Sequence, residues 1–276
     1  MNRKKISLII IFIVTAILAL LFASPLYFIF VNSFKPELDP NLNDILTETI
    51  KLPSTWTPKY IIEGFQAVNF TQAFFVSLLI TLTSVTLIIL VSAMAAWVLV
   101  RVKTKMSTVL FFFLIASMLI PFQSLMFPLV KFMSILGLDN LAGLIFMYIG
   151  FGVSLSTFLF HGFIKNIPIS LEEAAYLDGC NSIQLFVLVI LPLLKPIIVT
   201  AAVLNVIWIW NDFLLPFLIL QDIQTIPLAM QNLSKTYSIR WDLYMPVVLL
   251  SIVPVLLFYF FAQKHIIKGI TAGANK

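Results

Sequence analysis

Two stretches of this chain combine polar side chains at spacings with a definite physical reading. The first runs from Pro168 through Ser170, Glu172, Glu173, Ala174, Ala175 and Asp178 to Gly179, and on from Cys180 to Pro192. Ser170 with Glu173 three residues later reads as a capping box, in which each side chain bonds the other's backbone amide. A short helix should start near Leu171, with both glutamates at its positive end. Ala174 and Ala175 give that helix a thin surface that another protein can approach closely. Gly179 stands where a left-handed residue closes such a helix. Asn181 with Gln184 repeats the capping pattern, and Pro192 stops the second helix. The expected product is a helix–turn–helix at the cytoplasmic membrane surface, read equally as a capped connector or as a face for another protein.

The second stretch holds Asn205, Trp208, Trp210, Asn211 and Asp212, with Gln123 beside Pro121 as a similar case. Aromatic faces and amides together suit sugars, which offer C–H faces and hydroxyls. The same residue types also mark the membrane interface or link helices by hydrogen bonds, so both readings stand. Asp212 interrupts an apolar run, and a charge at mid-membrane costs about 2.5–3.5 kcal/mol on insertion scales. It should lie near an outer end, face a cavity or meet a cation.

Covalent chemistry finds no support. The 2 histidines, His161 and His265, are far apart and read as surface or interface residues. The single cysteine, Cys180, excludes an intramolecular disulfide. No residues have metal-ligand spacing, no nucleophile stands beside a base, and no glycine opens a phosphate-binding loop. Nucleic acid is not an expected partner.

The elements that must position these residues are transmembrane. Apolar residues make up 61% of the 276 and charged ones 11%, too few to cover a surface facing water. Stretches long enough for a helix through a ~30 Å hydrocarbon core lie at about 6–31, 72–100, 106–130, 140–160, 196–220 and 243–263. The third and fifth carry Pro121 and Asp212 within them. None alternates as a barrel strand would. The expected fold is all-α, a single membrane domain over 1–276 with six spans and a loop at 166–192. The uncharged run Cys180–Leu194 is too short for a seventh span and suits an interfacial or re-entrant helix. Ser77, Thr81, Thr83, Ser84 and Thr86 read as packing residues. Lysines and arginines concentrate at Arg3, Lys4, Lys5, Arg101, Lys103, Lys105, Lys165, Lys195, Lys264, Lys268 and Lys276. That side is therefore cytoplasmic, with both termini. The proline-bearing connection 36–63 lies outside, as an irregular loop or a surface for a partner.

Glu173-Ala174-Ala175, Gly179 and Val189-Ile190-Leu191-Pro192 resemble the EAA loop of binding-protein-dependent ABC import permeases, EAA-x3-G-x9-I-x-L-P. Val189 in place of Ile is the one departure. Pro25–Lys35, Trp210–Phe213, Thr225–Leu228 and Gly269–Ala274 resemble the permeases of carbohydrate importers, above all the subgroup like the maltose permease subunit MalG. The resemblance implies the type I importer permease fold and a non-catalytic subunit of the plasma membrane. Glu173, Ala174, Ala175, Asp178, Gly179 and Pro192 would dock on a dimer of ATPase subunits that hold ATP and Mg. Gly269 and Gly273 in the tail would touch the same subunits. A second homologous permease and an extracytoplasmic solute-binding protein would complete the machine. It would carry a sugar, as a disaccharide or oligosaccharide, by alternating access. A glycerol phosphate or another small solute is the alternative cargo, and an ion-coupled secondary transporter the competing class.

Overall fold

The computed structural model describes residues 3–35, 49–233 and 241–274. They are helical nearly throughout, in the order α1 Arg3–Asn32, α2 Lys59–Ala67, α3 Phe70–Arg101, α4 Lys105–Ser117, α5 Phe122–Ile135 and α6 Leu141–Ile164. After these come α7 Ser170–Leu177, α8 Ser182–Leu193, α9 Lys195–Asn211, α10 Leu214–Ile219, α11 Ile226–Asn232 and α12 Trp241–Ala274. Lipid has no donors or acceptors to offer, so a chain this apolar satisfies its backbone within helices.

Four helices are each long and apolar enough to cross a bilayer: Ser7–Asn32, Phe70–Arg101, Leu141–Ile164 and Trp241–Phe261. Two further spans exist if each of two bent pairs is one, which makes six among the described residues. The expected third span, 106–130, is not one straight helix. It bends by 102° between α4 and α5, where Pro121 is extended at ψ 133° and ends the hydrogen-bonded ladder. The expected fifth span, 196–220, breaks at Asp212, which is extended at ψ 126°. The run from Cys180 to Leu194 does not stand as a separate span. Its helix α8 meets α9 at 77°.

The chain forms two compact units. The first comprises 1–71 and 229–254. Here α1 is exposed along most of its length, while its C-terminal end is tied down. Asn32 donates to Phe28 O and Thr49 O at 2.7 and 3.1 Å, and Lys35 donates to Asn32 Oδ1 at 2.9 Å. Phe30, Phe34 and Trp56 pack ring against ring, and Thr57 donates to Phe34 O. The described part of the connection after α1 is thus folded back onto it. Residues 36–48 of that connection lie outside the described residues.

The second unit comprises 72–228 and 255–276. Helix α6 is its hub. Leu144, Tyr148, Gly152, Ser156, Phe160 and Ile164, at four-residue intervals, are all buried, because such a spacing keeps one helix face turned inward. One apolar core gathers Ile80, Val85 and Ile88 of α3 with Tyr148, Ile209 and Leu215. A second gathers Ala93 and Ala96 of α3 with Phe160, Ile164, Leu185, Phe186 and Ile190. Small polar side chains stitch α6 to its neighbours: Ser92 donates to Val153 O at 3.4 Å and Ser117 meets Ser154 at 2.8 Å. Gly152 is closely approached by side chains of α3 and α9. A Cβ there would lie 2.5 Å from Ile88 and 2.9 Å from Asn205 Oδ1.

Ser77 does more than pack. Its buried hydroxyl accepts the amide of Ile226 at 2.9 Å, one of the four amides that a helix start leaves without partners. Thr81 and Ser84 are buried packing residues, as expected, whereas Thr86 is exposed.

Candidate functional site

The turn between α7 and α8 is rigid by construction. Gly179 adopts φ +87°. That conformation lets Gly179 N–H donate to Tyr176 O at 3.1 Å and Cys180 N–H to Ala175 O at 3.0 Å, the two bonds of a Schellman closure. Asn181 and Gln184 form the full capping box of α8, each side chain accepting the other's amide at 2.9 Å. Further along, Phe186–Ile190 widens into a π-turn just before Pro192. Leu191 N–H reaches back to Phe186 O there. The wider turn relieves the crowding that a proline ring imposes on the preceding helical turn.

The expected capping box at Ser170 is absent. The chain is already helical at Ile169, with φ −65° and ψ −26°, and no side chain caps the start of α7. Leu171 and Glu172 instead donate to Pro168 O and Ile169 O. Ser170 is therefore inside the first turn, where its hydroxyl is not aimed at the Glu173 amide.

The face of the hairpin also differs from the sequence reading in one respect. Glu173, Ala174, Asp178 and Gly179 are exposed, but Ala175 is buried in the core beneath. Consecutive residues of a helix point about 100° apart, so two adjacent alanines cannot both face outward. The most exposed apolar residues of the hairpin are Leu177, 90% exposed, and Ile183, 75% exposed. Pro192 is exposed too.

The residue that sequence reasoning passed over is Glu172. It is 5% exposed and accepts from Arg101 Nε at 2.7 Å on one oxygen and from Trp97 Nε1 at 3.1 Å on the other. Arg101 Nη2 bonds the same carboxylate at 2.7 Å and Ile167 O at 3.0 Å. The hairpin is thereby pinned to the end of α3. Glu172 and Glu173 differ by one position in sequence, and only the packing tells which faces in.

The second group of candidates does not form one constellation. Asn205 is 2% exposed and donates to Ser156 Oγ at 3.0 Å and Ala201 O at 2.8 Å, linking α9 to α6. Asp212 is half-buried, accepting from the Tyr148 hydroxyl at 2.9 Å and the Leu214 amide at 3.0 Å. It marks a helix break, and a phenol and an amide take its oxygens. Asn211 is exposed and donates to Ile207 O within its own helix. Gln123 is exposed. Trp208 stands edge-on to Tyr148 at 5.5 Å between ring centroids. Together with Asn205 and Ser154 it borders a cavity of about 500 Å³, walled by Phe122, Phe146 and Phe151. His161 is not at the surface: it is 8% exposed and stacks on Phe111 at 3.7 Å. Gly269 and Gly273 lie in α12, and the side chains around them are outside the described residues.

Comparison with known proteins decides the family. Residues 88–272 match the family described as the binding-protein-dependent transport system inner membrane component. The chain belongs to this family. The permease is 41% identical to a probable starch degradation products transport system permease protein of Thermoanaerobacterium thermosulfurigenes, over 94% of each chain. It is 36% identical to a multiple sugar-binding transport system permease protein of Streptococcus mutans, over 74% of this chain and 76% of the other. It is 30% identical to a melibiose/raffinose/stachyose import permease protein of Bacillus subtilis, over 84% and 89%. A solved bacterial ABC transporter involved in importing the acidic polysaccharide alginate shares the permease's fold, with a TM-score of 0.79 over 96% of this chain at 22% identity. The permease is thus a non-catalytic, multi-pass membrane subunit of an ABC transporter, working with a separate ATPase and a binding protein.

Proposed function

We propose that this permease is one of two homologous membrane subunits of an ATP-driven importer for a disaccharide or oligosaccharide, with both termini in the cytoplasm. The single observation that carries the energy-coupling half is the rigid hairpin. It displays Leu177 and Ile183 beside Glu173, Ala174 and Asp178 on a turn that Gly179 and the Asn181–Gln184 box fix. An apolar side chain 90% exposed on so constrained a support suits a knob for a pocket on another protein. We assign that pocket to an ATPase subunit holding ATP and Mg, one of a pair. ATP-driven closure of the pair draws this hairpin toward its counterpart on the second permease, and the two permeases rock between inward and outward access. Gly269 and Gly273 belong to the same interface in this reading.

Sugar as cargo is supported by what the relatives are named for: starch degradation products, multiple sugars, and melibiose, raffinose and stachyose. Within the chain, we assign the pathway wall to Trp208 and Asn205. They border a cavity of about 500 Å³, inside the roughly 300–1,000 Å³ range of small-molecule sites. Gln123, Asn211 and Asp212 have a weaker claim, because Asn211 and Asp212 are committed to backbone and tyrosine partners. Orientation rests on the basic residues at the termini and at the turn after α3.

The test is reconstitution of the permease pair with the ATPase subunit and binding protein in vesicles. Uptake of an α-glucoside or α-galactoside oligosaccharide should require ATP and cease when the ATPase cannot hydrolyse it. Uptake sustained by an ion gradient alone would sink the proposal.

A further inference from the structure

A hairpin that receives force must pass it on, and the covalent chain supplies two routes, through 165–169 to α6 and through Leu194 to α9. The structure holds a third attachment that is not covalent. Glu172 of α7 is buried against α3, with both carboxylate oxygens engaged. Arg101 bonds both Glu172 and Ile167 O, so one side chain holds the hairpin and the connection that leads into it. Trp97, one turn earlier on α3, adds its indole N–H to Glu172 and packs its ring against Phe186 of the same hairpin at 5.6 Å. Beneath them Ala93 and Ala96 are fully buried against Leu185 and Ile190. Their small side chains let α3 lie close to the hairpin.

We propose that Trp97, Arg101 and Glu172 form a joint that locks α3 to the hairpin, so that a displacement of the hairpin carries this 32-residue helix with it. The proposal rests on the reading of the hairpin as the ATPase-docking element. It assigns the two neighbouring glutamates different tasks: Glu173 faces the partner, while Glu172 faces inward and is a positioning residue. Two carboxylate–guanidinium bonds and an indole bond have defined directions, so the joint resists rotation as well as separation. Apolar packing alone would let the helix slide.

The experiment uses the complete reconstituted transporter and three readouts: ATPase subunit bound, ATP hydrolysed, and sugar taken up per ATP. Trp97→Phe removes one hydrogen bond and keeps a ring against Phe186. Glu172→Gln removes the charge and keeps the shape. The double variant Arg101→Glu/Glu172→Arg restores opposite charges. Both single variants should bind the ATPase subunit within about twofold of the unaltered chain. Uptake per ATP should fall at least threefold in Trp97→Phe and at least tenfold in Glu172→Gln, and the double variant should recover part of the loss. Unchanged uptake per ATP in Trp97→Phe and Glu172→Gln, with the ATPase subunit bound, overturns the joint alone. A loss of ATPase binding that matches the loss of uptake also overturns it, since Glu172 would then only shape the docking face. Failure of the unaltered chain to bind the ATPase subunit sinks the docking reading first, and the joint with it.

Discussion

Replacing Gly179 with valine isolates the contribution of one backbone torsion to coupling. Gly179 sits at φ +87°, and a Cβ added there meets nothing within 4 Å. The penalty is therefore conformational rather than a clash with a neighbour. An L-residue in the left-handed region costs about 1–2 kcal/mol, and a β-branched one belongs at the upper end. If the turn stays closed, the hairpin is destabilised by that amount. If it relaxes, the bonds to Tyr176 O and Ala175 O are lost, and Leu177 and Ile183 no longer hold their relative positions. The equilibrium constant for the closed hairpin falls roughly five- to thirtyfold, at 1.4 kcal/mol per factor of ten, and affinity falls by as much as that factor where the open turn prevails. Gly137 provides the control: it has φ +65° and an equally open Cβ position, but lies between α5 and α6, away from the hairpin. The assay is affinity for the ATPase subunit together with ATP-driven uptake, at equal amounts of membrane-inserted protein. Gly179→Val should weaken affinity severalfold, up to about thirtyfold, and Gly137→Val should leave it within twofold. Gly179→Asn should fall between Val and Gly, since asparagine tolerates this region. Normal affinity and uptake in Gly179→Val, or equal losses at both glycines, would refute the reasoning.

Five further substitutions separate structural from transport roles. Asp212→Asn should keep the caps at Leu214 and Tyr148 and leave uptake near normal, whereas Asp212→Ala should lower the thermal midpoint in detergent by removing about 1–3 kcal/mol of bonding; a transport defect in Asn as severe as in Ala would put Asp212 on the pathway. Ser77→Ala strips the acceptor from the buried Ile226 amide and should destabilise the protein by about 1–3 kcal/mol, read as a lowered midpoint with the KM for sugar unchanged. Gly152→Val would force a side chain onto Ile88 and Asn205, so a loss of about 1–3 kcal/mol should appear as poor membrane accumulation, while Gly150→Ala, which meets nothing within 4 Å, should accumulate normally.

What the sequence disclosed and what it withheld follow from the range of each interaction. Gly179 and the Asn181–Gln184 box were legible because a turn and a cap are made by residues within four positions of one another. Ser170 and Glu173 had the same signature and did not use it, because Pro168 and Ile169 start the helix earlier. The bend after Ser117 was hidden by hydropathy: both arms are apolar, so the average runs through Pro121 without a dip. Asp212 read as a charge stranded in a span because the sequence does not show that the helix breaks there, nor that Tyr148, 64 positions away, supplies a hydroxyl. Glu172 was missed for a related reason. Its partners Trp97 and Arg101 lie 75 and 71 positions away, and no local pattern distinguishes it from Glu173. His161 was assigned to the surface or an interface from its place at a helix end; Phe111 of α4 covers it.

Arg101 has a history within the life of one molecule. It lies 71 residues before Glu172, so at roughly 5–20 residues per second a ribosome takes about 4–14 seconds to make its partner. In the orientation proposed above, α3 enters the bilayer during that interval with an unneutralised guanidinium at its end, and such charges hold a helix end on the cytoplasmic side. Once α7 folds back, the same group is 19% exposed and paired, and Lys103 and Lys105 are left to mark that side. A side chain that first helps to orient a helix during insertion is afterwards withdrawn into the interior as a fastening. A substitution at Arg101 therefore acts twice, once on biogenesis and once on the finished machine, and pulse-labelled insertion would tell the two apart.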